Sequence, residues 1–167
     1  AWMAREDAPF VMEVADRTPA DRKGGHIAQR RSGGGLLLRE IAQTPGSDLD
    51  AFQDIARYRY FNTNTIWFDL HAIGDMPPLP LIRNVKTVDP SDKSSPEVVQ
   101  IETAMGAAIE VFDGSQLIEV TRDRFVPVKN TSQLLLIRSD VYELGRDFVM
   151  DMRPDHAPYV DLDEPYA

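Results

Sequence analysis

The sequence predicts an α/β layer, on two observations. Short apolar runs with strand character, PFVMEVA, HIAQR, GLLLREIA and LPLIRNV, recur along the chain. Among them lie SDLDAFQDIARY and SQLLLIRSDVYEL, whose apolar residues repeat at helical spacing. In order the elements run β, ββ, α, β, α, β, α, an alternation that places helices against a sheet.

The opening AWMAREDAPF reads as the end of a helix running into a strand, with Pro9 as the break. PFVMEVA is that strand, closed by the polar DRTPADRKGG. HIAQR and GLLLREIA flank RRSGGG, whose glycines tolerate positive φ, so the pair predicts a hairpin. A phosphate loop is the weaker reading of GGG, because neither GxGxxG nor GxxxxGK[ST] is present. In SDLDAFQDIARY, Ser47 stands as N-cap before Leu49, Phe52, Ile55 and Ala56, which predicts an amphipathic helix. FNTNT follows as strand or loop, and IWFDLHAI runs on into packed structure. LPLIRNV and VVQI read as strands, ETAMGAAIEVF as a helix with small residues for close packing, and SQLIEV and RFVPV as strands. Asn130, Thr131 or Ser132 then caps a helix whose Leu134, Leu135, Ile137 and Val141 share a face.

With 167 residues, 43% of them apolar, the chain has enough core for one domain and little room for a second. Its formal charge of -9 and the lack of any Lys/Arg cluster argue against nucleic acid as a partner. No cysteine is present, so the default location is cytoplasmic. No apolar run has the length of a membrane span, and the N-terminus lacks the pattern of a signal peptide. The first residue is not Met, and the chain reads as beginning in mid-domain. At the other end, the acidic, proline-bearing residues 151–167 read as a connecting segment. Nothing in the sequence speaks to oligomeric state.

Candidate chemistry is local. His26, His71 and His156 are far apart, none in HxxxH or HExxH spacing, so no metal-binding residues are assigned. No GxSxG elbow marks a hydrolase. In an extended FNTNT, Asn62 and Asn64 point to one side and could grip one ligand, although a turn is the commoner use of such residues. Lys129 emerges from RFVPV just before a helix start, where free N–H groups and an ammonium together suit a phosphate. A surface lysine fits that position equally well. Lys23, Gly24 and Gly25 are weaker candidates, because Lys beside two glycines recurs in ordinary turns. Glu40 could bind sugar hydroxyls, but the commoner role for a carboxylate there is to close a sheet edge.

Five ordered segments carry a resemblance: VMEVADRTPADRKGG, LLLREIAQ, AFQDIARYRYFNTNTIW, VVQIETAMGAAIEVF and RFVPVKNTSQLLLIRSDVYEL. Together they resemble the UTP:glucose-1-phosphate uridylyltransferase (UDP-glucose pyrophosphorylase) family of eukaryotic type, over most of residues 9–144. The resemblance implies a Rossmann-like mixed-sheet nucleotidyltransferase (GT-A-like) domain, of which residues 1–150 look like the second half. It implies UTP and glucose 1-phosphate as substrates and Mg²⁺ as cofactor, bound mainly through the nucleotide phosphates; that no membrane is involved is expected from the lack of a long apolar run. Lys129 resembles the family's phosphate-contacting lysine, Asn62, Thr63 and Asn64 its sugar-binding NTN, and Glu40 its sugar-contacting carboxylate. Three positions depart: Thr65 stands where NTNN is usual, Gln133 where an acid is usual, and His26 where Thr commonly follows KGG. The family's glycine-rich nucleotide loop, which precedes these segments, is not in this chain, so the chain alone is expected to be inactive. A UDP-N-acetylhexosamine pyrophosphorylase and a catalytically silent sugar-phosphate-binding domain are the alternatives.

Overall fold

The computed structural model describes residues 2–74, 77–128, 130–155 and 157–162. The chain divides into two compact units, residues 1–119 and 120–167.

The first unit is built on a mixed sheet. After one helical turn, α1 (Trp2–Arg5), Pro9 breaks the chain and β1 (Phe10–Asp16) begins. Six of the seven β1 residues are buried, the signature of a strand covered on both faces. β2 (His26–Gln29) and β3 (Leu36–Arg39) form the expected antiparallel hairpin, with Gly33 and Gly34 at φ of 83° and 70° in its tip. β4 (Tyr60–Phe68) pairs antiparallel with β1, and β7 (Gln116–Glu119) pairs parallel with it, giving the order β3-β2-β4-β1-β7. One face of this sheet carries Phe10, Met12, Val14, Ile27 and Leu38, packed on Ala108 and Ile109. Phe10 meets Phe68 edge-on at 4.9 Å between ring centroids. β5 (Leu81–Thr87) and β6 (Glu97–Thr103) form a separate antiparallel pair.

Several expected elements are shorter than the pattern suggested. The helix over SDLDAFQDIARY is a 3₁₀ turn at Gly46–Asp48 followed by α2 (Leu49–Phe52) only. Its would-be continuation is held open from outside: the Arg17 guanidinium donates to the carbonyls of Phe52 and Tyr58 (both 3.2 Å), and Asp54 Oδ1 caps Ala56 and Arg57 N–H. Ser47 caps nothing here, because it lies inside the 3₁₀ turn. ETAMGAAIEVF splits between the end of β6 and a 3₁₀ segment at Met105–Glu110, because Glu102 and Thr103 are engaged with β5. IWFDLHAI is less packed than expected: Asp69 caps the single turn α3 (Leu70–Ile73), and Trp67 and Leu70 are exposed.

In the second unit, RFVPV is not a strand; Arg122–Arg124 form a 3₁₀ turn and Pro127, which has no N–H for a ladder, follows in irregular chain. Asn130 caps α4 (Thr131–Arg138) by accepting the Gln133 N–H at 2.9 Å. α4 stops short of Val141 because Ser139 turns the chain, its N–H and hydroxyl both donating to the Leu136 carbonyl. The sequence reading missed β8 (Tyr142–Leu144) and β9 (Met150–Met152), an antiparallel pair. The architecture is mixed α/β with a mixed sheet, as expected, though far poorer in helix.

Candidate functional site

The site residues of the first unit gather where β4 leaves the regular ladder. Met12 pairs with Ile66 and Val14 with Asn62, so a step of two residues in β1 is matched by four in β4. Thr63, Asn64 and Thr65 therefore bulge opposite Glu13. Asn64 takes φ of 62°, the left-handed region that Asn enters more readily than other side-chain-bearing residues.

The bulge is fixed by side chains. The Thr63 hydroxyl donates to the Glu13 carbonyl at 2.8 Å and accepts the Thr65 N–H at 3.2 Å. Asn62 Oδ1 accepts the Asn64 N–H at 2.8 Å, and Asn62 Nδ2 donates to Asn64 Oδ1 at 3.0 Å. The two carboxamides bond directly to each other across the bulge, which plain strand alternation would not produce. Asn62 is buried, at 5% exposure, and Asn64 is exposed. The Asn64 carboxamide keeps both N–H donors without a partner among the described residues.

The KGG turn supplies the second wall. Gly24 N–H donates to the Asp21 carbonyl at 2.8 Å, and the Gly25 carbonyl accepts the Asn62 N–H at 2.9 Å, which seats the turn on β4. Neither glycine has space for a side chain. A Cβ on Gly24 would fall 1.9 Å from Phe61 Cε2, and one on Gly25 would fall 2.4 Å from Glu40 Oε1. Glu40 therefore lies directly over Gly25, and Gly25 carries Asn62: four of the expected residues, Gly25, Glu40, Asn62 and Asn64, converge. Thr63 adjoins them in sequence, but its hydroxyl is committed to the sheet. Lys23 is exposed in the same turn. Lys129 lies outside the described residues, as does His156.

Two contributors were not singled out in the sequence. Glu13 is buried in β1, where its carboxylate accepts the Trp67 indole N–H at 3.0 Å while its carbonyl holds Thr63. A lone acid inside the apolar FVMEVA was the available signal. Gly106 is the other: a Cβ there would meet Leu38 Cδ2 at 2.8 Å and Asn62 Nδ2 at 3.4 Å, so the absence of a side chain lets the 3₁₀ segment lie against Asn62.

Behind the turn, His26 is wholly buried with its ring 4.4 Å from those of both Phe52 and Tyr58. Neither ring nitrogen has a hydrogen-bond partner. Burial, reinforced by the positive charges of Arg17 and Arg39, lowers its pKa to about 3, so the imidazole is neutral packing material at ordinary pH. Among the described residues no three His, Asp or Glu side chains converge on one point. No helix among them is long and apolar enough to cross a membrane.

As an arrangement, an exposed carboxamide with free donors on β4, and a carboxylate over the turn that β4 carries, suit a neutral polyhydroxyl ligand, whose hydroxyls need both donors and acceptors. Comparison with known proteins bears on which ligand. All 167 residues match the family described as UTP--glucose-1-phosphate uridylyltransferase. The UTP--glucose-1-phosphate uridylyltransferase of Saccharomyces cerevisiae is 40% identical over 147 residues, 85% of this chain and 29% of the relative. That of Musa acuminata is 40% identical over 141 residues, 84% of this chain and 30% of the relative. The crystal structure of a UDP-glucose phosphorylase from Trypanosoma brucei superposes with a TM-score of 0.84 at 44% identity, covering 90% of this chain and 34% of that one. A point mutant of the Leishmania major UDP-glucose pyrophosphorylase, in complex with UDP-glucose, gives 0.78 at 44% identity, covering 90% and 35%. The chain therefore spans about a third of the length of the proteins it matches.

Proposed function

Because the chain belongs to the UTP--glucose-1-phosphate uridylyltransferase family, we propose that it forms the sugar-binding part of an enzyme that makes UDP-glucose and pyrophosphate from UTP and glucose 1-phosphate. The observation that carries this reading is the convergence of Glu40 and the Asn62–Asn64 pair on Gly25, in a chain of this family.

In this mechanism the sugar hydroxyls lie against Asn64 and Glu40, the first donating and the second accepting. The Thr63–Glu13 bond and the Asn62–Asn64 pair hold that surface rigid, so its orientation is set before the substrate arrives. A phosphate oxygen of glucose 1-phosphate then attacks the α-phosphorus of UTP, the bond to the β-phosphoryl oxygen breaks, and pyrophosphate leaves. Phosphoryl chemistry of this kind requires positioning and charge neutralisation more than covalent help. Lys129, next in sequence to the Asn130 cap of α4, would supply part of the positive charge. Mg²⁺, bound through the nucleotide phosphates, would supply more.

The test is substrate-resolved kinetics in the complete enzyme containing this chain. Changes at Asn64 and Glu40 are expected to raise KM for glucose 1-phosphate while KM for UTP stays near its starting value. A variant that loses UTP affinity and keeps that for the sugar phosphate would overturn the assignment.

A further inference from the structure

Up to Asp16, β1 carries a single acid among apolar residues, and it carries that acid at the bulge. Phe10, Val11, Met12, Val14 and Ala15 are wholly buried, and Glu13 among them is 5% exposed. A carboxylate in that setting gives up hydration that a valine would not need, so the strand is less stable for it unless its oxygens are put to use.

Two uses are visible, both on β4. The Glu13 carbonyl takes the Thr63 hydroxyl at 2.8 Å, and Glu13 Oε1 takes the Trp67 indole N–H at 3.0 Å. Thr63 and Trp67 stand on either side of Asn64 and Thr65. The stretch that leaves the ladder is therefore tied at both ends to one residue of β1. Packing gives the Trp67 tie little help, since Trp67 is 49% exposed; without the bond, a side chain so placed is free to change rotamer. Asn64 lies between the two ties, exposed and at φ of 62°, with its carboxamide N–H donors directed away from Asn62.

We propose that the Glu13 side chain is a positioning residue for sugar recognition: through the Trp67 indole it fixes the far end of the bulge, and with it the direction in which Asn64 presents its donors. The proposal rests on the sugar-binding reading of Asn64. A donor misplaced by ~1 Å loses its bond to a bound hydroxyl, so cutting the tie weakens sugar binding and not stability alone.

Steady-state kinetics in the complete enzyme containing this chain test it. Trp67→Phe keeps an aromatic ring and removes the donor. It is expected to raise KM for glucose 1-phosphate about fivefold or more and to leave KM for UTP within about twofold. Glu13→Leu removes the acceptor and should do the same. The double variant Glu13→Leu/Trp67→Phe should be no worse than either single one, because both act on one bond. Glu13→Gln keeps an oxygen for the indole and should retain part of the affinity that Glu13→Leu loses. Its remaining effect should vanish in the Trp67→Phe background, which completes the same cycle if Glu13→Leu does not fold. A side chain that only stabilises the sheet would lower the melting temperature and leave KM unchanged, and that result overturns the inference. Effects that add in the double variant also overturn it, since each residue would then act separately. Asn64→Gly separates this failure from failure of the reading beneath it. KM raised by Asn64→Gly but not by Trp67→Phe overturns the Glu13 role and keeps the sugar site, whereas KM unchanged in both removes the two together.

Discussion

Asn62 and Asn64 hold each other twice, the Asn62 carboxamide taking the Asn64 N–H at 2.8 Å and giving its own N–H to Asn64 Oδ1 at 3.0 Å. This pair is what keeps Asn64 at φ of 62° with its donors outward. Asn64→Ala removes those donors and also places an alanine in the left-handed region, at a cost of about 1–2 kcal/mol. Asn64→Gly removes the donors without that strain. In the complete enzyme both variants should raise KM for glucose 1-phosphate by about tenfold and lower the melting temperature, because each removes the acceptor of the buried Asn62 Nδ2, with the alanine lowering it further through backbone strain. A glycine variant with unchanged KM would assign the residue to backbone geometry alone.

The two glycines of the KGG turn should fail in different ways. Gly24→Ala drives a methyl into the buried Phe61 ring and should destabilise the protein by about 1–3 kcal/mol. Gly25→Ala meets the Glu40 carboxylate instead, the end of a rotatable side chain that can move aside. Its expected result is a smaller loss of stability with a clear rise in KM for the sugar phosphate. Chemical denaturation and steady-state kinetics on both variants separate the cases; a Gly25→Ala enzyme with normal KM would remove Glu40 from the site.

His26 sets an acid limit. Its pKa is about 3 in the folded chain against 6.5 for the unperturbed group, so the unfolded chain binds the proton more readily. Its contribution is complete above about pH 6.5 and is lost progressively as pH falls from there towards 3, by up to about 1.4 kcal/mol per unit. His26→Phe keeps an aromatic ring between Phe52 and Tyr58 and removes the titrating group. Its melting temperature should fall less than that of the parent between about pH 6.5 and about pH 4.5. Parallel curves over that range would show that His26 is not the group responsible.

How much of this could be read in advance depended on where the decisive contacts lay. β1, the β2–β3 hairpin and its glycine tip follow from local pattern, because alternation, apolar runs and positive-φ glycines act within a few residues. The helix expected through Ile55 and Ala56 was misread because Arg17, far away in sequence, takes the carbonyls of Phe52 and Tyr58. Spacing placed Asn62 and Asn64 on one side of an extended strand but not their bonding to each other: the bulge that makes it exists because β4 offers four residues to two of β1, a matter of register between distant strands. Glu40 over Gly25 likewise depends on the fold bringing the KGG turn beside the end of β3. Residue chemistry was legible; the convergence was not.

The last prediction concerns Lys129, which lies just before the α4 cap. If its ammonium neutralises phosphate charge as the transfer occurs, Lys129→Ala in the complete enzyme should reduce kcat by about two orders of magnitude or more, the scale of losing a preorganised electrostatic donor. Lys129→Arg keeps the charge but presents a wider planar fork, so it should recover only part of the rate. A lysine without such a role sits unfavourably beside the positive end of a helix, and its removal would leave activity intact while stability stayed level or rose slightly. Kinetics and thermal melting on the same preparations distinguish these outcomes. Parent-level turnover in the alanine variant would exclude Lys129 from the chemistry, while a large rate loss at unchanged melting temperature would assign it to the transfer step.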